Sequence, residues 1–146
     1  MKPYEIAKFE SAAELGNITL RFDEAAKAPI RVQAHSDIKG LDKYVAIVNT
    51  SAKTVSCIAT KNYALVQHKT FVKQVTDVLN EVGMSCYGKV EDGGDKIYVK
   101  AFFRDHVIKD DAKGIHMGIR LANSYDLSRG LSLTLYGMRL VCLNQM

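Results

Sequence analysis

Three stretches late in the chain alternate apolar and polar residues with a period of two, and this limits the fold more than any other feature. In residues 96–104, Ile97, Val99, Ala101 and Phe103 take one phase and Tyr98, Lys100, Phe102 and Arg104 the other. In residues 115–122, Ile115, Met117, Ile119 and Leu121 alternate with His116, Gly118 and Arg120. In residues 131–136, Leu131, Leu133 and Leu135 alternate with Ser132, Thr134 and Tyr136. Alternation of this kind puts the apolar side chains on one face of a sheet and the polar ones on the other. Gly137 breaks the last run, where a bulge or a close backbone approach is expected. The nearly all-apolar residues Met138 to Cys142 follow and read as interior.

The middle of the chain supplies partners for these strands. Residues 44–48 and 54–59 are β-branched and apolar and flank a polar turn, so they read as a hairpin. Residues 84–90 are expected to pair with 96–104 across the loop 91–95, whose Gly93 and Gly94 suit a tight turn. Residues 69–82 form the clearest helix: Phe71, Val72, Val75, Val78, Leu79 and Val82 make one stripe, and Gly83 ends it. Its polar face begins with Lys69 and Lys73 and ends with Asp77 and Glu81, the reverse of what the helix dipole favours. That order hints at a separate use for the two lysines.

Patterning is weakest before residue 43. There the reading is a short helix over 5–15, with Ile6, Phe9 and Ala13 on one side and Gly16 as its stop. A strand over 17–22, a polar connection over 23–29 and a further short strand over 30–34 follow. The whole is one α+β domain over 1–146: a mainly antiparallel sheet with one principal amphipathic helix packed on its apolar face. Residues 43–146 are the core, and residues 1–42 are a helix and strand portion that is either part of it or an arm.

A chain of 146 residues, 47% hydrophobic and 25% charged, has enough apolar surface for a core. No apolar run approaches a membrane span, and the N-terminus lacks a signal pattern, so a cytoplasmic protein with no membrane partner is expected. Cys57, Cys86 and Cys142 are odd in number and widely spaced, which fits reduced core thiols. Net charge is +4, and its distribution says more than its size. Residues 43–76 hold five lysines and no acid, and residues 96–146 hold eight Lys or Arg against four Asp. The two blocks make one polyanion-attracting patch if the fold joins them; a solvated, unevenly charged surface is the other reading.

The main candidate site is the second face of the alternating strands: Tyr87, Lys89, Tyr98, Lys100, Phe102, Arg104, His116, Arg120, Thr134 and Tyr136. Aromatics interleaved with cations can stack free bases and neutralise phosphates, which suits a single strand. The alternative is that a helix, a subunit or the N-terminal arm covers the face. The nucleic-acid-binding candidates are Lys61, Tyr63, Lys69, Lys73, Tyr98, Lys100, Phe102, Arg104, Arg120 and Arg139, with Tyr136 as a further stacking residue. His35, His68, His106 and His116 lack metal-ligand spacing and read as solvated or structural. Asp110 and Asp111 read as a solvated loop pair, and Asn123 and Asp126 as turn formers. No catalytic motif, metal site or cofactor site emerges, and a nuclease using Asp110, Asp111 or Asp126 has no motif behind it.

Three segments resemble a family of phage- and plasmid-type proteins classed as a domain of unknown function. The first runs from the Tyr-Val-Ala-Ile-Val-Asn of 44–49 to the Lys-Asn-Tyr-Ala-Leu-Val-Gln of 61–67. The second is Asn-Ser-Tyr-Asp-Leu-Ser at 123–128, similar to the family's Asn-Ser-His-Asp-Gly-Ser. The third is Arg-Leu-Val-Cys-Leu-Asn at 139–144, similar to its Arg-Val-Val-Cys-x-Asn. The likeness covers residues 40–146. Tyr125 replaces the usual His and Leu127 the usual Gly, and family members usually continue beyond the last motif. The resemblance implies a mobile-element setting among replication and recombination functions, with no established activity. In topology alone the chain is similar to single-strand annealing proteins. The expectation is a non-catalytic, homo-oligomeric module that binds or anneals single-stranded nucleic acid, DNA first. The alternative is an assembly module that binds none.

Overall fold

The computed structural model describes residues 4–32, 38–108 and 114–139, with the backbone alone for 106–108, 138 and 139. His35, Asp110, Asp111, Cys142 and all but the first residue of the 139–144 motif lie outside the described residues, as do the side chains of His106 and Arg139. In chain order the elements are β1 (Glu5–Phe9), α1 (Ala12–Thr19), β2 (Ala25–Pro29), a 3-10 turn (Leu41–Lys43), β3 (Tyr44–Asn49), β4 (Thr54–Thr60), α2 (His68–Glu81), β5 (Cys86–Asp92), β6 (Lys96–Ile108), β7 (Ile115–Ser124) and β8 (Ser132–Arg139).

The alternating strands form a five-stranded sheet in the order β1-β5-β6-β7-β8, antiparallel throughout. Its apolar phase is the core. Val90, Ile97, Val99, Ala101, Phe103, Ile119 and Leu121 pack under Phe71, Val72 and Leu79 of α2 and Leu15 and Ile18 of α1. The α+β architecture with a principal helix on one face is as the periodicity predicts, and α1 lies beside α2 in the same layer. A second sheet, in the order β2-β3-β4, contains the expected hairpin. Ala25, Ile47 and Ala59 of that sheet close around Tyr125, at the end of β7. At Gly137 the strand pairs in register with Met117. Of the two expected causes the close approach holds, since a Cβ there would lie 2.9 Å from Ile115 Cγ2.

The N-terminal reading needs correction. Residues 5–9 are a strand, and the helix starts at Ala12 and runs through Gly16 and Asn17 to Thr19. Its start has the capping-box sequence, with the carboxylate reaching one residue beyond the N-cap. Ser11 Oγ accepts from Glu14 N–H at 3.2 Å, and the Glu14 carboxylate accepts from Glu10 N–H at 2.7 Å. Of the expected strand over 17–22, residues 17–19 belong to α1, and the supposed polar connection contains β2. Residues 30–32 carry no strand, and 33–34 lie outside the described residues. Nor is this portion an arm, because Phe9, Leu15, Ile18 and Phe22 are all buried in the main core.

Candidate nucleic-acid interface

Strand register decides which side chains share a line across the outer face of the large sheet. Lys8 of β1 pairs with Lys89 of β5, Lys89 with Lys100 of β6, and Lys100 with Arg120 of β7; Arg120 then meets Thr134 of β8. Four cations therefore stand in one row at right angles to the strands, about 4.8 Å apart at the backbone. Like charges directly opposite destabilise a sheet. At this spacing each neighbouring pair repels by up to about 1 kcal/mol at the dielectric of water. The compensation is sparse. Glu91 reaches Lys89 at 3.1 Å, and Arg120 rests over the Tyr98 ring at 5.4 Å. Lys8 and Lys100 have no ion-pair partner among the described residues.

An aromatic row runs alongside. Tyr87 pairs with Phe102, Phe102 with Gly118, and Gly118 with Tyr136. Gly118 leaves the middle of the row open, and Phe102 packs between Tyr87 and Tyr136 with ring centroids 5.6 Å from each. Arg104 lies over the Tyr87 ring at 4.7 Å and is held by Glu10 through its carboxylate at 2.7 Å. Tyr87 Oη lies 3.4 Å from His116 Nδ1. Burial pushes the Tyr136 hydroxyl up to about 12 against the pull of Arg120, and its buried oxygen has no hydrogen-bond partner among the described residues.

Phe102 is only 4% exposed, so its expected role as a base-stacking residue is corrected: it is the floor of the aromatic row. Tyr98, half-buried, is the ring beside the cation row. Its hydroxyl accepts from Arg129 Nε at 3.1 Å, and the Arg129 guanidinium also lies 5.9 Å from its centroid. Neither described helix is stacked on this face, since both belong to the opposite layer.

The two basic blocks do not merge. Lys69 and Lys73 sit on α2, in the layer on the other side of the sheet, where they meet Glu24 at 3.8 Å and Asp77 at 2.7 Å. Lys61 and Tyr63 follow β4, and Tyr63 packs into the core of the small sheet. Tyr98, Lys100, Phe102, Arg104 and Arg120 are the five candidates that share the face. Two residues of the site were missed from sequence. Lys8 was hidden by the helical reading of its segment, and Arg129 by its place in a turn.

A second polar constellation joins the two sheets. The His68 ring stacks on Tyr125 at 3.8 Å between centroids. Nε2–H donates to the Gly94 carbonyl at 2.9 Å, which leaves Nδ1 to accept from Asn123 Nδ2 at 3.1 Å. Asn123 also donates to the Val66 carbonyl at 2.8 Å. It is buried and is not a turn former as the sequence suggested, whereas Asp126 is one, accepting from Ser128 N–H at 2.9 Å. Tyr125 Oη accepts from His68 N–H at 3.0 Å and donates to the Asp23 carbonyl at 2.7 Å. Asn49 Nδ2 donates to Asp23 Oδ2 at 2.9 Å and Asp95 Oδ1 at 3.0 Å, and Ser56 Oγ donates to Asp95 at 2.8 Å. These groups satisfy one another, as buried polar atoms must. Leu127, at the position where the resembled family carries Gly, has φ 62°, a backbone region that favours glycine.

Burial lowers the His68 pKa to about 4, although the Gly94 carbonyl and Asp92, Asp23 and Asp95 pull the other way. The ring is therefore neutral in the fold at pH 7. Since the folded value lies below the unfolded value of about 6.5, the unfolded chain takes up the proton first, and stability falls as pH drops from about 6.5 towards 4. Urea unfolding should show a loss of about 2 kcal/mol between pH 7 and pH 5. Equal stability at the two pH values would mean the buried ring accepts a proton in place.

Set against protein-family models, curated proteins and solved structures, the chain matches none of them.

Proposed function

We propose that the outer face of the five-stranded sheet binds the phosphate backbone of single-stranded nucleic acid, without catalysis. The observation behind this reading is the Lys8–Lys89–Lys100–Arg120 row. Four aligned cations with one carboxylate among them cost folding energy, and a linear polyanion offsets that cost along their whole length. A flexible single strand can follow a row that crosses a twisted sheet, and Tyr98 offers one ring for a base beside it. Tyr87 and Phe102 of the aromatic row are already buried within the chain, so they need no subunit to cover them. A nucleic-acid partner goes with a cytoplasmic location, and no described helix is long and apolar enough to cross a membrane. The resemblance of the 44–67 and 123–128 segments adds a setting in replication or recombination.

The test is anisotropy of a fluorescent single-stranded oligonucleotide across a salt series, with duplex as competitor. Each neutralised phosphate contributes about 0.7 to the salt slope of a single strand, so four contacts give a log–log slope of about −3. A slope near zero, or no binding at low salt, would remove the face as a nucleic-acid site. Competition by duplex at equal concentration would overturn the single-strand assignment.

A further inference from the structure

The other end of the cation row leads to the edge of the sheet. β8 is an edge strand, paired with β7 on one side and with no described strand on the other. Sheet edges carry unpaired N–H and C=O groups, and proteins protect them with charge, proline, bulges or short length. β1, the opposite edge, is five residues long and carries Glu5 and Lys8. β8 has none of these devices before its last residue, Arg139. From Leu131 to Met138 the chain has no charge and no proline, and β8 pairs with β7 over eight residues without a register shift.

The side chains point the same way. Leu133 and Leu135 pair with Leu121 and Ile119, so they lie on the helix side of the sheet, yet they are 54% and 64% exposed. Leu131, just before the strand, is 50% exposed. On that side, α2, which rests against β7, leaves Val78 exposed, as is Val82 one turn on, just past its end. On the outer face the strand offers Ser132, Thr134 and the half-buried Tyr136 among the described side chains.

We infer that β8 pairs antiparallel with β8 of a second copy of this chain, joining two sheets into one of ten strands. The sequence Leu-Ser-Leu-Thr-Leu-Tyr-Gly (131–137) is self-complementary about Thr134. Across a two-fold axis there, Leu133 faces Leu135 of the second copy, Thr134 faces its own mate, and both leucine rows fall on one side. A two-fold pairing sets every charge near the centre against its own like, and this run has none to set. The second copy is thus the partner that the strand fits without any complementary charge. The pairing stands apart from the nucleic-acid reading, but it has a consequence for it. A row through Thr134 maps onto itself, so the two cation rows become collinear. Arg120 of one copy is separated from that of the other by three strand spacings, about 14 Å, beyond the screening length at physiological salt.

Sedimentation equilibrium of the full chain without nucleic acid tests this. The expected mass is twice the 16.2 kDa of one chain. Thr134→Lys puts two like charges opposite each other at an exposed position and should weaken the dimer by about a hundredfold. Leu133→Lys with Leu135→Lys, also exposed, should do the same, with circular dichroism unchanged in both variants. A wild-type mass of one chain at every concentration overturns the inference, and so does a dimer that survives both variants. Oligonucleotide binding by the Leu133→Lys, Leu135→Lys monomer separates the two ideas, because those positions lie on the helix side of the sheet, away from the cation row. Lost dimer with retained binding supports the edge pairing whatever the origin of the binding. Dimer formation in a wild-type chain that binds no oligonucleotide overturns the proposed function and leaves the pairing standing.

Discussion

Gly88→Ala should cost at least about 4 kcal/mol, the largest stability loss of any single methyl added to this chain. Gly88 lies in β5 opposite Ala101, on the core side of the sheet, with Phe9 of β1 paired on its other side. A Cβ at this position would sit 1.8 Å from the backbone carbonyl oxygen of Lys100 and 3.1 Å from Phe9 Cζ. No real Cβ tolerates the first distance, and the obstacle is main chain, which cannot rotate away. β5 and β6 would have to part at the centre of the sheet, breaking ladder bonds and opening the packing around Phe9 and Ala101. A typical domain has 5–15 kcal/mol in all, so the variant should be largely unfolded or recovered from inclusion bodies. Gly16→Ala is the control. Gly16 lies in α1 with open space where a Cβ would go, so alanine there should stabilise by about 0.5–1 kcal/mol through helix propensity. Chemical denaturation of the two variants reads both signs. A Gly88→Ala protein that melts within a degree or two of wild type would mean that β5 and β6 do not meet as described.

The same position shows what the sequence could and could not reveal. Period-two alternation in 96–104 and 115–122 identified the strands and their buried phase, because burial on one face leaves a direct imprint on residue type. The stripe over 69–82 identified α2 for the same reason. What alternation does not carry is register. Lys8, Lys89, Lys100 and Arg120 lie on four strands far apart in the chain, and only pairing shows that they form one line. Lys8 was further obscured because Glu5, Lys8 and the apolar Ile6 and Phe9 also fit a helical face. The deciding signal was the Ser11–Glu14 capping box, which places the helix start after residue 10. The His68–Asn123–Tyr125 junction was invisible for a similar reason. Its members come from a helix start, a strand end and a turn, and each reads alone as an ordinary polar residue. Lys69 and Lys73 were drawn into the site by their charge alone, and the layer order of the fold separates them from it.

Lys100→Glu together with Arg120→Glu should abolish single-strand binding at moderate salt while leaving the fold intact. Arg120 is exposed with only the Tyr98 ring beneath it, and Lys100, half-buried, has no ion-pair partner among the described residues, so the fold does not depend on either charge. The exchange also relieves the sheet, because Glu at 100 would face Lys89 in place of a like charge. The row then carries two cations and two anions, and the net attraction for a phosphate chain vanishes. Four contacts at about 0.7 log units each per decade of salt amount to roughly a 500-fold loss of affinity at 0.1 M salt. Wild type and variant should converge as salt approaches 1 M, where counterion release no longer contributes. Lys69→Glu with Lys73→Glu makes the same change in net charge on the opposite layer. Beyond a screening length of about 8–10 Å its effect on the row should be small, within roughly threefold in affinity. Anisotropy titrations of the two double variants side by side decide between a local track and general charge attraction. An equal loss in both would mean that net charge alone drives binding. Undiminished binding by the Lys100 and Arg120 variant would place the nucleic acid elsewhere on the chain.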